Sequence, residues 1–354
     1  VMEQARVDPQ SLWKGADRII IDEAQKSPAL LNAVKVAVDK ERRRRFILSG
    51  SSNLLLMEKV TESLAGRALY FDLLPMTYGE AYCTSLRPEN FFRLWNDEMN
   101  EPEQEVQEIP PLPYLMRGFM PPVLGLKDHG DVLLWMEGYV RTYLERDLRQ
   151  LSQVDSLVDF RKVMQVLSLR TGNILNQADV AKECGTSHAT THRYIKLLEI
   201  SNIIQKVPGF FSSRGKRIVK SPKLYFLDPA LSIFLSGHLD ADTLVRSREL
   251  GGFFETLAFL HIRSLCEMMK PRANVYYWRT TTGNEVDFIL EHGRKLLAVE
   301  VKMTSDPTAH DIKGLLRFMA DRPEMVRGVL VHSGNRIRWL HSKIIAVPWW
   351  WIDR

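Results

Sequence analysis

Near the C-terminal end, acids and a lysine stand where a buried strand would ordinarily place apolar residues. Asp287 interrupts the run VDFIL at 286–290, and Glu300 and Lys302 lie in KLLAVEVKM at 295–303. Side chains alternate along a strand with period two, so Glu300 and Lys302 share one face. Upstream, GGFFETLAFLHIRSL at 251–265 has a single acid, Glu255, among apolar residues until its far end. Buried elements rarely carry acids without cause. Carboxylates of Asp287, Glu300 and Glu255 with the Val301 carbonyl would hold Mg²⁺ or Mn²⁺, hard ions that take oxygen ligands. Lys302 would then orient the attacking water or steady phosphate charge. The competing reading is structural: a buried Asp–Lys ion pair that ties neighbouring strands together.

The elements that must position these groups are a helix over 251–265 and strands over 275–280, 286–290 and 295–303, with turns at TTGNE (281–285) and HGR (292–294). Asp287 followed by Glu300-Val301-Lys302 resembles the PD-(D/E)XK nucleases, in which Glu255 would be the helical acid. That resemblance implies a nuclease-like α/β domain over 237–354. Trp349-Trp350-Trp351 could stack on bases, but a terminal strand packed on this sheet is the preferred expectation.

A second constellation lies at 171–228. Asn176 to Glu183 suits a short helix, Cys184-Gly185-Thr186 a turn, and Ser187 the cap of a second helix. Two β-rich runs then flank Ser213-Arg214-Gly215-Lys216, as in the wing of a winged helix. From Lys206 to Lys223 there are six cations and no acid, which favours phosphate contact. For DNA, helical spacing turns His188, Thr190, Thr191 and Arg193 to the groove, with Arg214, Lys216, Arg217 and Lys220 on the backbone. A lid or protein-binding module is the alternative.

The third constellation is N-terminal. Strand RIIID at 18–22 delivers Asp22-Glu23 at its C-terminal end, where open α/β sheets place ligands. One carboxylate can hold Mg²⁺ and the next can polarise an attacking water. A helix over 27–41 leads to strand RFILSG at 45–50, which brings Ser49 and Ser51 beside the acids, and ALYFDLL at 68–74 reads as a third strand. A solvated turn or helix cap is the bland reading of Asp22-Glu23.

Taken in order, IIIDEAQ, RFILSGSSN, LAGR and LLPMTYGEAY closely resemble the prokaryotic AAA-type ATPases that carry a C-terminal domain of unknown function. SPKLYFLDPAL at 221–231 and YYWR, GNEVDFIL and VEVK extend the resemblance over nearly the whole chain from residue 18. It implies that Asp22 and Glu23 are a Walker B pair, that Ser49 to Ser51 form a sensor segment, and that Arg67 lies near nucleotide. Mg²⁺ and ATP would be the family's cofactors, and relatives that act as rings or nucleotide-sandwiching pairs imply a homo-oligomer. No G-x-x-x-x-G-K-[S/T] loop occurs, so the glycine cradle and lysine that hold phosphates are missing. N-terminal truncation is the simplest explanation, and the chain alone is expected neither to bind ATP tightly nor to hydrolyse it.

The expected organisation is α/β: a partial P-loop ATPase sheet over 1–80, a helical lid or linker over 81–155, a winged helix over 156–236, and the PD-(D/E)XK-like domain. The expected function is an ATPase-family protein with a DNA-binding winged helix and a metal-dependent nuclease-like domain. Its alternative is a non-cleaving regulator that binds a protein or nucleic-acid partner. Composition agrees: 354 residues, 45% hydrophobic and 26% charged, exclude disorder, and a net charge of +5 is mild support for a polyanionic partner. Three scattered cysteines support neither a disulfide framework nor a cysteine zinc site. With no signal-like or membrane-length apolar run, a cytoplasmic location is expected.

Overall fold

The computed structural model describes residues 7–24, 27–50, 64, 66–83, 88–96, 98, 102–147, 154–211 and 221–354. At the N-terminal end, β1 (Arg18–Ile21) and β2 (Arg45–Leu48) pair in parallel, with Ile20 beside Ile47. The crossover between them is α1 (Pro28–Lys40), started by Pro at a position where a missing N–H costs nothing. Leu30, Leu31, Val34 and Ala37 of α1 are buried with Trp13 against the strands. The third expected strand, 68–74, is not formed: this stretch is irregular chain, with Leu69, Phe71 and Leu73 exposed and no strand partner among the described residues.

The chain beyond this pair divides between two larger cores. The helices α2 (Tyr78–Tyr82) and α3 (Glu89–Asn96) and the short strand β3 (Gln104–Glu105) join the C-terminal one. There the Tyr78 amide donates to His261 Nε2 at 2.8 Å, and the Gly79 amide donates to the Asp353 carboxylate at 2.8 Å. From Val123 on, helical residues share a separate core with α4 (Leu157–Ser168), α5 (Gln177–Cys184) and α6 (His188–Ile200). The Asn176 side chain caps α5, Gly185 ends it with φ 68°, and the Ser187 side chain caps α6. An antiparallel pair, β4 (Ile204–Val207) and β5 (Lys223–Phe226), closes this unit.

The C-terminal unit opens with the long helix α7 (Leu250–Met268) and continues through β6 (Asn274–Arg279), β7 (Glu285–His292), β8 (Lys295–Lys302), α8 (Lys313–Asp321), β9 (Met325–His332), β10 (Arg336–His341) and β11 (Ile344–Pro348). With β3 these strands form one mixed sheet in the order β3-β10-β11-β9-β8-β7-β6. Along β8, Leu297, Val299 and Val301 enter the α7 core while Leu296 and Ala298 enter the α8 core. Both faces are thus covered, as the near-continuous apolar strands require. At the β6 edge, Pro208 and Phe210 exchange backbone hydrogen bonds with Tyr277, so the chain leaving β4 is seated on the sheet. Trp349, Trp350 and Trp351 are buried after β11, and Trp349 Nε1 donates to the Ile109 carbonyl at 2.7 Å, so they pack as core and not as a base-stacking surface.

Candidate functional site

The register of β7 and β8, with Phe288 opposite Val299, puts Asp287 across from Glu300. Asp287 Oδ2 accepts from the Val301 amide at 2.9 Å, and Lys302 Nζ lies 2.7 Å from Glu300 Oε1. Glu255 approaches from α7. The four C-terminal residues singled out by type and spacing therefore do converge.

A fifth group stands between them, and sequence reasoning counted it only as a wing cation. Lys223, the first residue of β5, places its Nζ 2.9 Å from Glu255 Oε1, 2.6 Å from Glu285 Oε1 and 3.2 Å from Asp287 Oδ1. Its side chain is 4% exposed. The Tyr225 hydroxyl, two residues along the same strand, also donates to Glu255 Oε1. Burial opposes the charge on Lys223, but Glu255, Tyr225, Asp287 and Glu285 outweigh it and hold the ammonium well above the usual lysine range. Burial, then the Asp287 charge, pushes Glu255 up to about 7 against the pull of Lys223. Burial and Asp287 also raise the Glu300 carboxyl well above its ordinary value.

These donors do not fit a resident divalent ion. Among the described residues no three His, Cys, Asp or Glu side chains are placed to hold a metal. The expected Asp287, Glu300 and Glu255 ligand set is therefore not formed, because Lys223 occupies the space between Glu255 and Asp287 and Asp287 commits its other oxygen to the Val301 amide. Beside the cluster lies a polar cavity of about 290 Å³ lined by Thr171, Gly172, Asn173, Arg248, Gly252 and Glu255, between the turn after α4 and the start of α7.

At the N-terminal sheet, Asp22 and Ser49 follow neighbouring parallel strands, and Ser49 Oγ donates to Asp22 Oδ1 at 2.5 Å. The same oxygen accepts from the Glu23 amide at 2.9 Å, and Glu23 takes the left-handed φ of 53°. This carboxylate and hydroxyl could serve a magnesium–phosphate group, though among the described residues no three His, Cys, Asp or Glu side chains are placed there to hold a metal. Arg67 grips Asp39 of α1 with its guanidinium, at contacts of 2.7 and 3.1 Å. Ser51 lies outside the described residues.

On α6, His188 and Arg193 are exposed, Arg193 paired with Asp155, and Thr190 is half-buried beside the Ser187 cap. Thr191 is turned the other way. It is fully buried and bonds Thr186 across the turn, because it shares the i, i+4, i+7 stripe of Ile195 and Leu198 that faces the core. The outward row instead contains His188, His192 and Lys196, at the i, i+4 and i+8 spacing the heptad-like burial leaves free. Arg214, Lys216, Arg217 and Lys220 lie outside the described residues.

The comparisons with known proteins divide the chain along similar lines. Residues 3–82 match the model of the AAA domain, 112–242 a domain of unknown function (DUF8612), and 250–352 another domain of unknown function (DUF4143). The first and last together support an AAA-type ATPase family, with nucleotide and Mg²⁺ use at the level of that family. Uncharacterised proteins of Mycobacterium tuberculosis and Mycobacterium bovis are each 28% identical over 343 residues, 96% of this chain and 70% of the relative. A crystallised protein of Vibrio cholerae aligns over 92% of this chain and 78% of its own at 11% identity, and its TM-score of 0.21 carries no argument about fold. Among the described residues no helix is long and apolar enough to cross a membrane.

Proposed function

We propose that this chain is the non-cleaving kind of AAA-type ATPase-family protein: a cytoplasmic regulator whose winged helix holds DNA, and whose C-terminal domain anchors that module without cutting. The observation that carries the non-cleaving half is the Lys223 ammonium within reach of three carboxylates. A cluster already compensated by a tethered cation has no need of metal, and replacing its members costs stability before it costs chemistry. The DNA half draws support from the exposed row His188, His192 and Lys196 on a capped second helix, and from the sequence cations Arg214, Lys216, Arg217 and Lys220.

The test is incubation of the purified chain with plasmid and single-stranded DNA in Mg²⁺, Mn²⁺ or chelator, read for retardation and for cleavage. Retardation that weakens in a Lys196→Ala/His192→Ala variant, with no metal-dependent cutting, is the expected result. A second reading, metal-dependent cleavage in the manner of a PD-(D/E)XK nuclease, draws on one observation: Glu300 Oε2 is buried with no hydrogen-bond partner, an oxygen that a cation would satisfy. Cutting that needs metal and disappears in Asp287→Ala and Lys302→Ala would favour it.

A further inference from the structure

We propose that Lys223 is the resident cation of the C-terminal carboxylate cluster, its ammonium standing in place of a divalent metal. It thereby keeps the cluster closed to metal while β5 is seated against the sheet. The inference deepens the non-cleaving reading and rests on it.

The hydrogen-bonding capacity of the ammonium is fully taken. An ammonium has three N–H donors and no acceptor. Lys223 Nζ has three carboxylate oxygens within 2.6–3.2 Å, from Glu255, Glu285 and Asp287. Its donors are thereby used up. A divalent ion needs six or more oxygens at about 2.0–2.6 Å, and it could not share these three with a buried like charge. Among the described residues, Glu300 Oε2 is buried without a hydrogen-bond partner, an oxygen that a metal could satisfy and that Lys223 has no donor left to reach. Glu300 still feels Asp287 and Glu255 electrostatically, so it belongs to the same charge cluster.

The ammonium is also tethered. Lys223 comes from the helical unit, while Glu255, Glu285 and Asp287 come from α7 and β7 of the C-terminal unit. Its backbone is pinned by pairing with Val207 and by a bridge to Ile174. Next to it, Leu224 exchanges hydrogen bonds with Gly172 and Asn173, while the Pro222 carbonyl accepts from the Leu175 amide. If the ammonium left, Asp287 and Glu255, whose side chains are 8% and 14% exposed, would lose the cation that offsets their charge. It is the electrostatic joint between the two units.

The experiment uses the full chain carrying Asp22→Ala, so that uptake at the N-terminal acids is not counted, with and without Lys223→Ala. Mn²⁺ uptake is read by the loss of the free-ion paramagnetic signal and by thermal unfolding in Mn²⁺ against chelator. With Lys223 present, Mn²⁺ is expected to leave the melting temperature unchanged. Lys223→Ala is expected to melt lower in chelator and to recover in Mn²⁺, with uptake at least about tenfold tighter, and a further Asp287→Asn change should abolish that gain. A variant that folds only in Mn²⁺ supports the proposal equally. Should it fold in neither condition, Lys223→Gln/Glu255→Gln removes the cation with one of its acids. Mn²⁺ uptake by that variant supports the proposal and absence of uptake overturns it. Equal uptake with and without Lys223, or a folded Lys223→Ala chain that takes none, also overturns it. Metal-dependent DNA cleavage by the unaltered chain would instead bring down the non-cleaving reading itself, so the two failures are distinguishable.

Discussion

Lys223 and Asp287 are a pair of charges in apolar strands, each buried at a cost that only the other side of the cluster offsets. Removing one member leaves the rest uncompensated, which costs about 3–5 kcal/mol for a buried pair. Lys223→Ala should therefore lower the urea midpoint far more than Lys302→Ala, whose side chain is 41% exposed; equal losses would contradict the difference in burial. Protonation is the second handle. Glu255 is held up to about 7 in the folded chain against an ordinary value of 4.5. The folded state thus binds this proton more tightly than the unfolded state does. The stability it contributes is present below about pH 4.5 and is lost as pH rises through 7. Glu255→Gln should flatten the fall in stability across that window, and an unchanged slope in urea titrations would speak against the shift. Asp287, Glu300, Lys302 and Glu255 were legible because each broke an apolar pattern. Lys223 broke one too, at the head of KLYF, but it closes a stretch with six cations and no acid, and its acids come from residues 32 to 64 positions away. Periodicity reports a face, not what will be packed against it.

At the scale of elements, caps and close approaches decide the geometry. The helix α6 starts at Ser187, whose side chain accepts from the Thr190 amide at 3.0 Å; Ser187→Ala should cost about 1 kcal/mol by thermal unfolding. Its outward row should tolerate substitution structurally, whereas Thr191→Lys should unfold the unit. The start of α7 packs so closely on the preceding unit that a Cβ on Gly252 would lie 2.6 Å from the Thr171 carbonyl oxygen. Gly252→Ala should therefore destabilise by about 1–3 kcal/mol, and wild-type stability in that variant would mean that the turn after α4 yields freely. Helices α6 and α7 and the two strands carrying the acids, β7 and β8, were readable from capping residues and apolar runs. The 68–74 strand was not formed despite its composition, because β propensity needs a neighbouring strand to pair with. Thr191 was misjudged for a related reason: helical spacing gives the faces of α6, and only the packing of α4 and α5 determines which one is inside.

At the scale of the whole molecule, the AAA domain match covers residues 3–82, the stretch that holds the parallel pair β1–β2. The nucleotide chemistry remains partial. Asp22 and Ser49 touch, Arg67 is held by Asp39, and the sequence has no phosphate loop. Calorimetric titration of this chain with ATP and Mg²⁺ should show no micromolar binding, and micromolar affinity would require a phosphate cradle built from other residues. The two larger units are held together by the Pro208–Phe210 segment on the β6 edge and by Lys223, so the C-terminal domain and the helical unit should melt in one transition. Whether a cluster closed by Lys223 leaves DNA uncut is decided by the DNA assay with Mg²⁺, Mn²⁺ and chelator. A non-cleaving DNA binder retards DNA that stays intact in every metal condition, whereas metal-dependent cleavage that vanishes with Asp287→Ala would refute that function.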